Sequence, residues 1–184
     1  MLHTVKQEAV EMKEINIPVG ISDFKEICKN GYYYVDKTFL IKELLKTTAT
    51  KVTLITRPRR FGKTMAMSML ATYFDIRENS QDLFDGLEIS KETDLCKEWM
   101  NQWPVVFLSL KDIDGLNFEE AKSMLKITIR TEAQRHYELK KSEKVSEENR
   151  KLFNDILSGE DERIEDSLRM LSQIFPSRQK KVRQ

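Results

Sequence analysis

The sequence predicts an α/β fold with a truncated sheet and a helical second half. Three observations carry that prediction. The short run "KVTLIT" (51–56), rich in β-branched residues, ends in a basic turn that opens onto the helix-like "KTMAMSMLATYFDI". A second apolar run, "PVVFLSL" (104–110), has the length of a buried strand. From Asn117 onward the apolar spacing is helical. The chain of 184 residues suffices for one domain with a core, and 40% apolar against 33% charged residues fits a globular protein with a charge-rich surface.

Residues 1–14 are polar and weakly patterned, so they read as a lead-in. "INIPVGISDF" holds Pro18 and Gly20 and suits an extended loop or edge segment. Asn30-Gly31 signals a turn, Tyr32 to Val35 have strand propensity, and Asp36 suits the cap of a helix running to about Lys46. Leu40, Ile41, Leu44 and Leu45 give that helix one apolar face. In the helix after the basic turn, Met65, Met69, Leu70, Tyr73 and Phe74 share a face that packs as core. "LFDGLEI" makes a turn, and Trp99 and Trp103 lead into the second apolar run. Then "FEEAKSMLKITIRTEAQRHYELKK" reads as one long helix. "SEENRKLFNDILSG" reads as a helix started by Ser146 and stopped by Gly159. "DERIEDSLRMLSQIF" is a third, ended by Pro176. The two strands are not expected to pair with each other.

The turn between strand and helix carries the chemistry. A phosphate-binding loop has the spacing G-x-x-x-x-G-K-[ST] after a strand and before a helix. Here "RPRRFGKT" keeps the last three residues and puts Arg57 where the first glycine stands. Gly62 lets the backbone approach phosphate oxygens without a Cβ in the way. The N–H groups of Arg60, Phe61, Gly62, Lys63 and Thr64 would point inward at a helix N-terminus, whose partial positive charge favours an anion. Lys63 would reach the β- and γ-phosphates of ATP, and the Thr64 hydroxyl would face Mg²⁺. Arg59 and Arg60 are either further phosphate ligands or surface charges. The fold class is thereby a partial P-loop NTPase domain.

"RPRRFGKT", with "YYYVDKT" upstream and "LFDGLEI" and "PVVFLSLKD" downstream, resembles the bacterial AAA-ATPase-like proteins, over about residues 15–174. Arg57 in place of glycine belongs to that pattern. Members often continue into a nuclease-type domain of the PD-(D/E)XK class. The resemblance implies an ATP site with Lys63 and Thr64 in the roles above. It also implies that "YYYVDKT" lies on the base or ribose side, although Tyr32 to Tyr34 equally suit a core.

Hydrolysis needs a carboxylate at the end of a neighbouring strand to hold Mg²⁺ through water, and a second to activate the attacking water. No apolar run ending in a carboxylate follows Gly115. Asp112 and Asp114, beyond the second apolar run, are substitutes for that role or a solvated loop. "DFKEI", "DIRENSQD" and "GEDERIED" read as surface carboxylates. No nuclease residues are present. The expectation is an ATP-binding domain deficient in hydrolysis. The alternative is a non-catalytic interaction module, or a gene-fragment product, with an idle loop. The abrupt change from helix to basic tail after Ile174 motivates the hypothesis of a cut gene or shifted frame, which the coding DNA downstream in all three frames would test. Missing strands would leave apolar faces uncovered, so self-association or a protein partner is expected.

The remaining signals exclude more than they assert. His3 and His136 have no partner set, and His136 reads as solvent-facing. Cys28 and Cys96 lack metal-ligand spacing, which fits a reduced intracellular protein. The net charge of +1 gives no general case for nucleic acid or anionic membrane. Residues 175–184 form a basic tail with Arg178, Lys180, Lys181 and Arg183, read as contacts for nucleic-acid phosphates or as an unstructured end. With no signal-like apolar core at the N-terminus and no run of membrane-helix length, a cytoplasmic location is expected.

Overall fold

The computed structural model describes residues 16–46, 52–111, 113–141, 145–160 and 164–173. The lead-in, His3, Asp112 and the basic tail lie outside them. The chain divides between Trp103 and Pro104 into two compact units.

The first unit holds α1 (Phe24–Lys29), α2 (Phe39–Leu45), α3 (Lys63–Phe74), α4 (Gln81–Phe84), a 3₁₀ turn (Glu88–Lys91) and α5 (Thr93–Trp99). Asp23 caps α1 by accepting from Glu26 N–H at 3.1 Å. Phe24, Ile41, Met69, Tyr73, Phe84 and Ile89 form its core. Phe84 lies between two rings, with centroids 4.9 Å from Phe24 and 5.2 Å from Tyr73. Met69 and Tyr73 are fully buried, so the face expected of α3 is the one that packs. The carbonyls of its last turn are closed by the following chain. Asn101 N–H donates to Tyr73 O at 2.7 Å and Trp103 N–H to Phe74 O at 2.9 Å. The Asn101 side-chain amide donates to Thr72 O at 3.1 Å and Asp75 O at 3.0 Å. Those bonds hold Asn101 at φ 54, in the left-handed region that asparagine enters more readily than other non-glycine residues.

The second unit holds α6 (Phe118–Arg135), a 3₁₀ turn (Tyr137–Lys141), α7 (Glu147–Ser158) and α8 (Ile164–Gln173). Asn117 caps α6 by accepting from Glu120 N–H at 2.9 Å, and Glu120 reaches back to Leu116 N–H at 2.9 Å. Ser146 and Gly159, the latter at φ 84, bound α7 where the sequence puts its ends. Ile129, Ala133, Phe153, Ile156, Met170 and Leu171 form the core of this unit. Instead of one helix over 118–141, the chain leaves the α conformation at His136 and continues as a 3₁₀ turn.

The α/β expectation, with its truncated sheet, is overturned. The described residues are helical and form no sheet, only an isolated parallel bridge between Asp75 and Trp103. A strand exists only when a neighbour takes its N–H and C=O groups, and neither apolar run has one among the described residues. Residues 52–56 belong to no helix or strand, with Val52 and Leu54 each 84% exposed. Residues 104–108 lie half-buried, Phe107 N–H donating to the Glu132 carboxylate at 2.9 Å and Val105 O meeting His136 Nε2 at 3.0 Å, while Ser109 and Leu110 are exposed. Side chains of α6 occupy the positions a sheet neighbour would fill.

Candidate functional site

The basic loop between residue 56 and α3 is shaped by two left-handed residues, Arg60 at φ 67 and Gly62 at φ 72. Gly62 is the N-cap of α3, and the first intrahelical bond runs from Ala66 N–H to Gly62 O at 2.9 Å. The N–H groups of Lys63, Thr64 and Met65 precede that bond and have no intrahelical acceptor. A left-handed residue followed by a helical one turns successive N–H groups toward one concavity, an arrangement suited to anions. Lys63 Nζ folds back onto the loop and donates to Arg57 O at 2.5 Å and Pro58 O at 2.9 Å. The Thr64, Arg57, Arg59 and Arg60 side chains are exposed, and Phe61 is 60% exposed. Among the described residues no carboxylate pairs with Lys63 or with the three arginines.

A second lysine, not anticipated from the sequence, reaches the same loop. Lys37 Nζ donates to Phe61 O at 3.2 Å and lies 2.9 Å from the place a Cβ on Gly62 would take. Its neighbours are bound elsewhere. The Asp36 carboxylate accepts from Thr38 N–H and Glu88 N–H, both at 2.7 Å. The buried Thr38 hydroxyl accepts from Ile89 N–H at 3.1 Å. Asp36 therefore makes a local turn and a tie to "LFDGLEI", while Thr38 takes the N-cap position of α2 that the sequence suggested for Asp36. Burial pushes the Asp36 carboxyl up, but the N–H groups of Glu88 and Thr38 win and hold it below the usual carboxylate range. Of the three tyrosines, Tyr34 packs edge-on against Phe24 with centroids 5.3 Å apart and its hydroxyl is pushed up to about 12 by burial. Tyr33 is 53% exposed.

The other sequence candidates lie on other elements. Asp114 is exposed and lies in the second unit. Asp75, expected on the surface, is buried at the far end of α3 and grips Arg77, which donates from Nε at 2.9 Å and Nη2 at 2.5 Å. The twelve residues of α3 put it about 18 Å from the loop. His136, expected to face solvent, is 1% exposed. Its Nε2 lies 3.0 Å from Val105 O and 3.3 Å from the Glu132 carboxylate. Burial pushes Glu132 up, but His136, the Phe107 N–H and Arg135 together hold it below the usual range. Cys28 and Cys96 are free thiols. Among the described residues no His, Cys, Asp and Glu cluster fits a metal, and no helix is long and apolar enough to cross a membrane.

A left-handed glycine, then lysine and threonine, heads the packed helix α3. The chain belongs to the family described as predicted AAA-ATPase, which it matches over residues 18–181. It is also 33% identical over 99 residues to an uncharacterized protein from the vnfD 5′ region of Azotobacter chroococcum mcd 1. That match spans 53% of this chain and 17% of the relative's length. No solved structure matches the chain.

Proposed function

We propose that the chain binds ATP with Mg²⁺ through the loop of Arg59, Arg60, Phe61, Gly62, Lys63 and Thr64. The single observation that supports this reading most is Gly62 at φ 72 heading α3, whose first-turn N–H groups lack intrahelical acceptors, next to a loop rich in exposed cations. Among the described residues Lys63 donates only to loop carbonyls, which phosphoryl oxygens replace at little cost. The exposed Thr64 hydroxyl fits one position around Mg²⁺, the others being taken by phosphate oxygens and water. The ion would neutralise phosphate charge; the chain's own groups orient the phosphates.

Turnover by this chain alone is proposed to be slight. Among the described residues no carboxylate pairs with Lys63 or Thr64, and buried Asp75 is committed to Arg77 at the other end of α3. A second reading, an interaction module with an idle loop, is favoured by residues 52–56. Their backbone makes no hydrogen bonds among the described residues, and Val52 and Leu54 are exposed. Thermal unfolding with increasing ATP and Mg²⁺, beside Lys63→Ala, separates the two. Nucleotide should raise the wild-type midpoint and leave the variant's unchanged. A wild-type midpoint insensitive to ATP defeats the nucleotide reading and leaves the interaction module.

A further inference from the structure

We propose that Lys37 is a second phosphate-binding ammonium of the loop, delivered from the segment before α2 and aimed by its two neighbours. This rests on the nucleotide reading and adds a ligand to it. Lysine is a long, flexible side chain, and holding its head in one place ordinarily costs rotamer freedom. Here the main chain on either side is fixed. Asp36 is tied to Glu88 N–H and Thr38 to Ile89 N–H, so the Cα of Lys37 is held between two anchors on one segment while its head crosses to another.

Where that head lies is specific. It sits 3.2 Å from Phe61 O and 2.9 Å from the place a Cβ on Gly62 would take. Lys63 has the same kind of contact, to the carbonyls of Arg57 and Pro58. The two ammoniums are thus held by neutral acceptors of one loop, and among the described residues no carboxylate competes for either. A neutral carbonyl is a weaker partner for an ammonium than a phosphoryl oxygen. A polyphosphate on the first-turn N–H groups of α3 meets Lys63 from the helix and Lys37 from outside it. The ligand class recognised this way is the phosphate chain itself rather than the base.

The test compares full-length wild type, Lys63→Ala and Lys37→Met by calorimetric titration with ATP-Mg²⁺ and, separately, with inorganic triphosphate-Mg²⁺. Lys37→Met keeps the aliphatic stem and should weaken both ligands about tenfold or more, by the same factor. Equal binding by Lys37→Met and wild type, with loss in Lys63→Ala, overturns the role of Lys37 and leaves the nucleotide reading standing. Loss of ATP binding with triphosphate unaffected also overturns it, because Lys37 would then act on the base or ribose. A wild type that binds neither ligand overturns both readings. Reductive methylation of wild type followed by mass spectrometry needs no variant. Triphosphate should protect Lys37 several-fold while leaving the exposed Lys91 unprotected; an unprotected Lys37 overturns the proposal.

Discussion

Replacing Gly62 with alanine separates the loop's shape from its chemistry. At φ 72 an added Cβ costs about 1–2 kcal/mol of backbone strain. The same Cβ would lie 2.9 Å from Lys37 Nζ, closer than such contacts run, but the end of a lysine moves aside cheaply. Stability should therefore fall by the backbone term alone, about 2–4 °C in midpoint for each kcal/mol in a chain of this size. Binding should fall further, because the Cβ stands where phosphate oxygens approach and Lys37 is pushed from its seat. Gly86 supplies the control: φ is 77, and nothing lies within 4 Å of an added Cβ. Gly86→Ala should cost the same strain without touching ligand affinity. The assay is thermal unfolding of both variants with and without ATP-Mg²⁺. If Gly62→Ala binds as wild type does, or Gly86→Ala loses binding equally, the loop is not a phosphate cradle.

Glu132→Gln should weaken the second unit by about 1.5–3 kcal/mol at neutral pH, the worth of the charge-assisted bonds to Arg135 and the contact with His136. Because the folded carboxyl is held below its unfolded value, its stabilisation is complete above the ordinary glutamate range, about 4.3, and is lost as pH falls through the lower folded value. Urea unfolding at stepped pH should show that acid loss in wild type and a flatter limb in the variant. Phe84→Ala removes the ring between Phe24 and Tyr73 and should cost about 3–5 kcal/mol in the first unit, read as a lowered urea midpoint.

What the sequence makes legible is whatever local chemistry decides. The ends of α7 are visible because Ser146 and Gly159 close them with their own atoms. The head of α3 is visible because an extended run, a turn and Gly62-Lys63-Thr64 are consecutive. The end of α6 was not, because His136 is drawn in by Val105, thirty-one residues earlier. The only local hint was Glu132 four positions before the histidine, a spacing that brings two side chains together on a helix. Strand propensity at 51–56 and 104–110 reports eligibility to pair, and pairing depends on a neighbour that lies elsewhere in sequence. Lys37 escaped notice for the same reason. Its lysine is ordinary in "YYYVDKT", and its position follows from bonds to Glu88 and Ile89, some fifty residues on.

The two ends of α3 explain why the loop is open to a ligand although no sheet stands behind it among the described residues. A helix in a folded protein has both ends to satisfy. At its C-terminal end Asn101 and Trp103 take the carbonyls of Thr72, Tyr73, Phe74 and Asp75, which is why Trp103 makes one bridge there rather than starting a strand. Asn101 takes a left-handed φ to do so. Met69 and Tyr73 lock the middle of the helix into the core. Among the described residues the N-terminal end receives no such closure: its first-turn N–H groups have no intrahelical acceptor, exposed arginines stand in the loop before it, and the two lysines donate to that loop's carbonyls. With one end sealed and the body fixed, the partial positive charge of the other is presented on a rigid support. An anion at the proposed site would not need to reorganise the helix, and the proposed site would depend on α3 and its caps rather than on strand pairing.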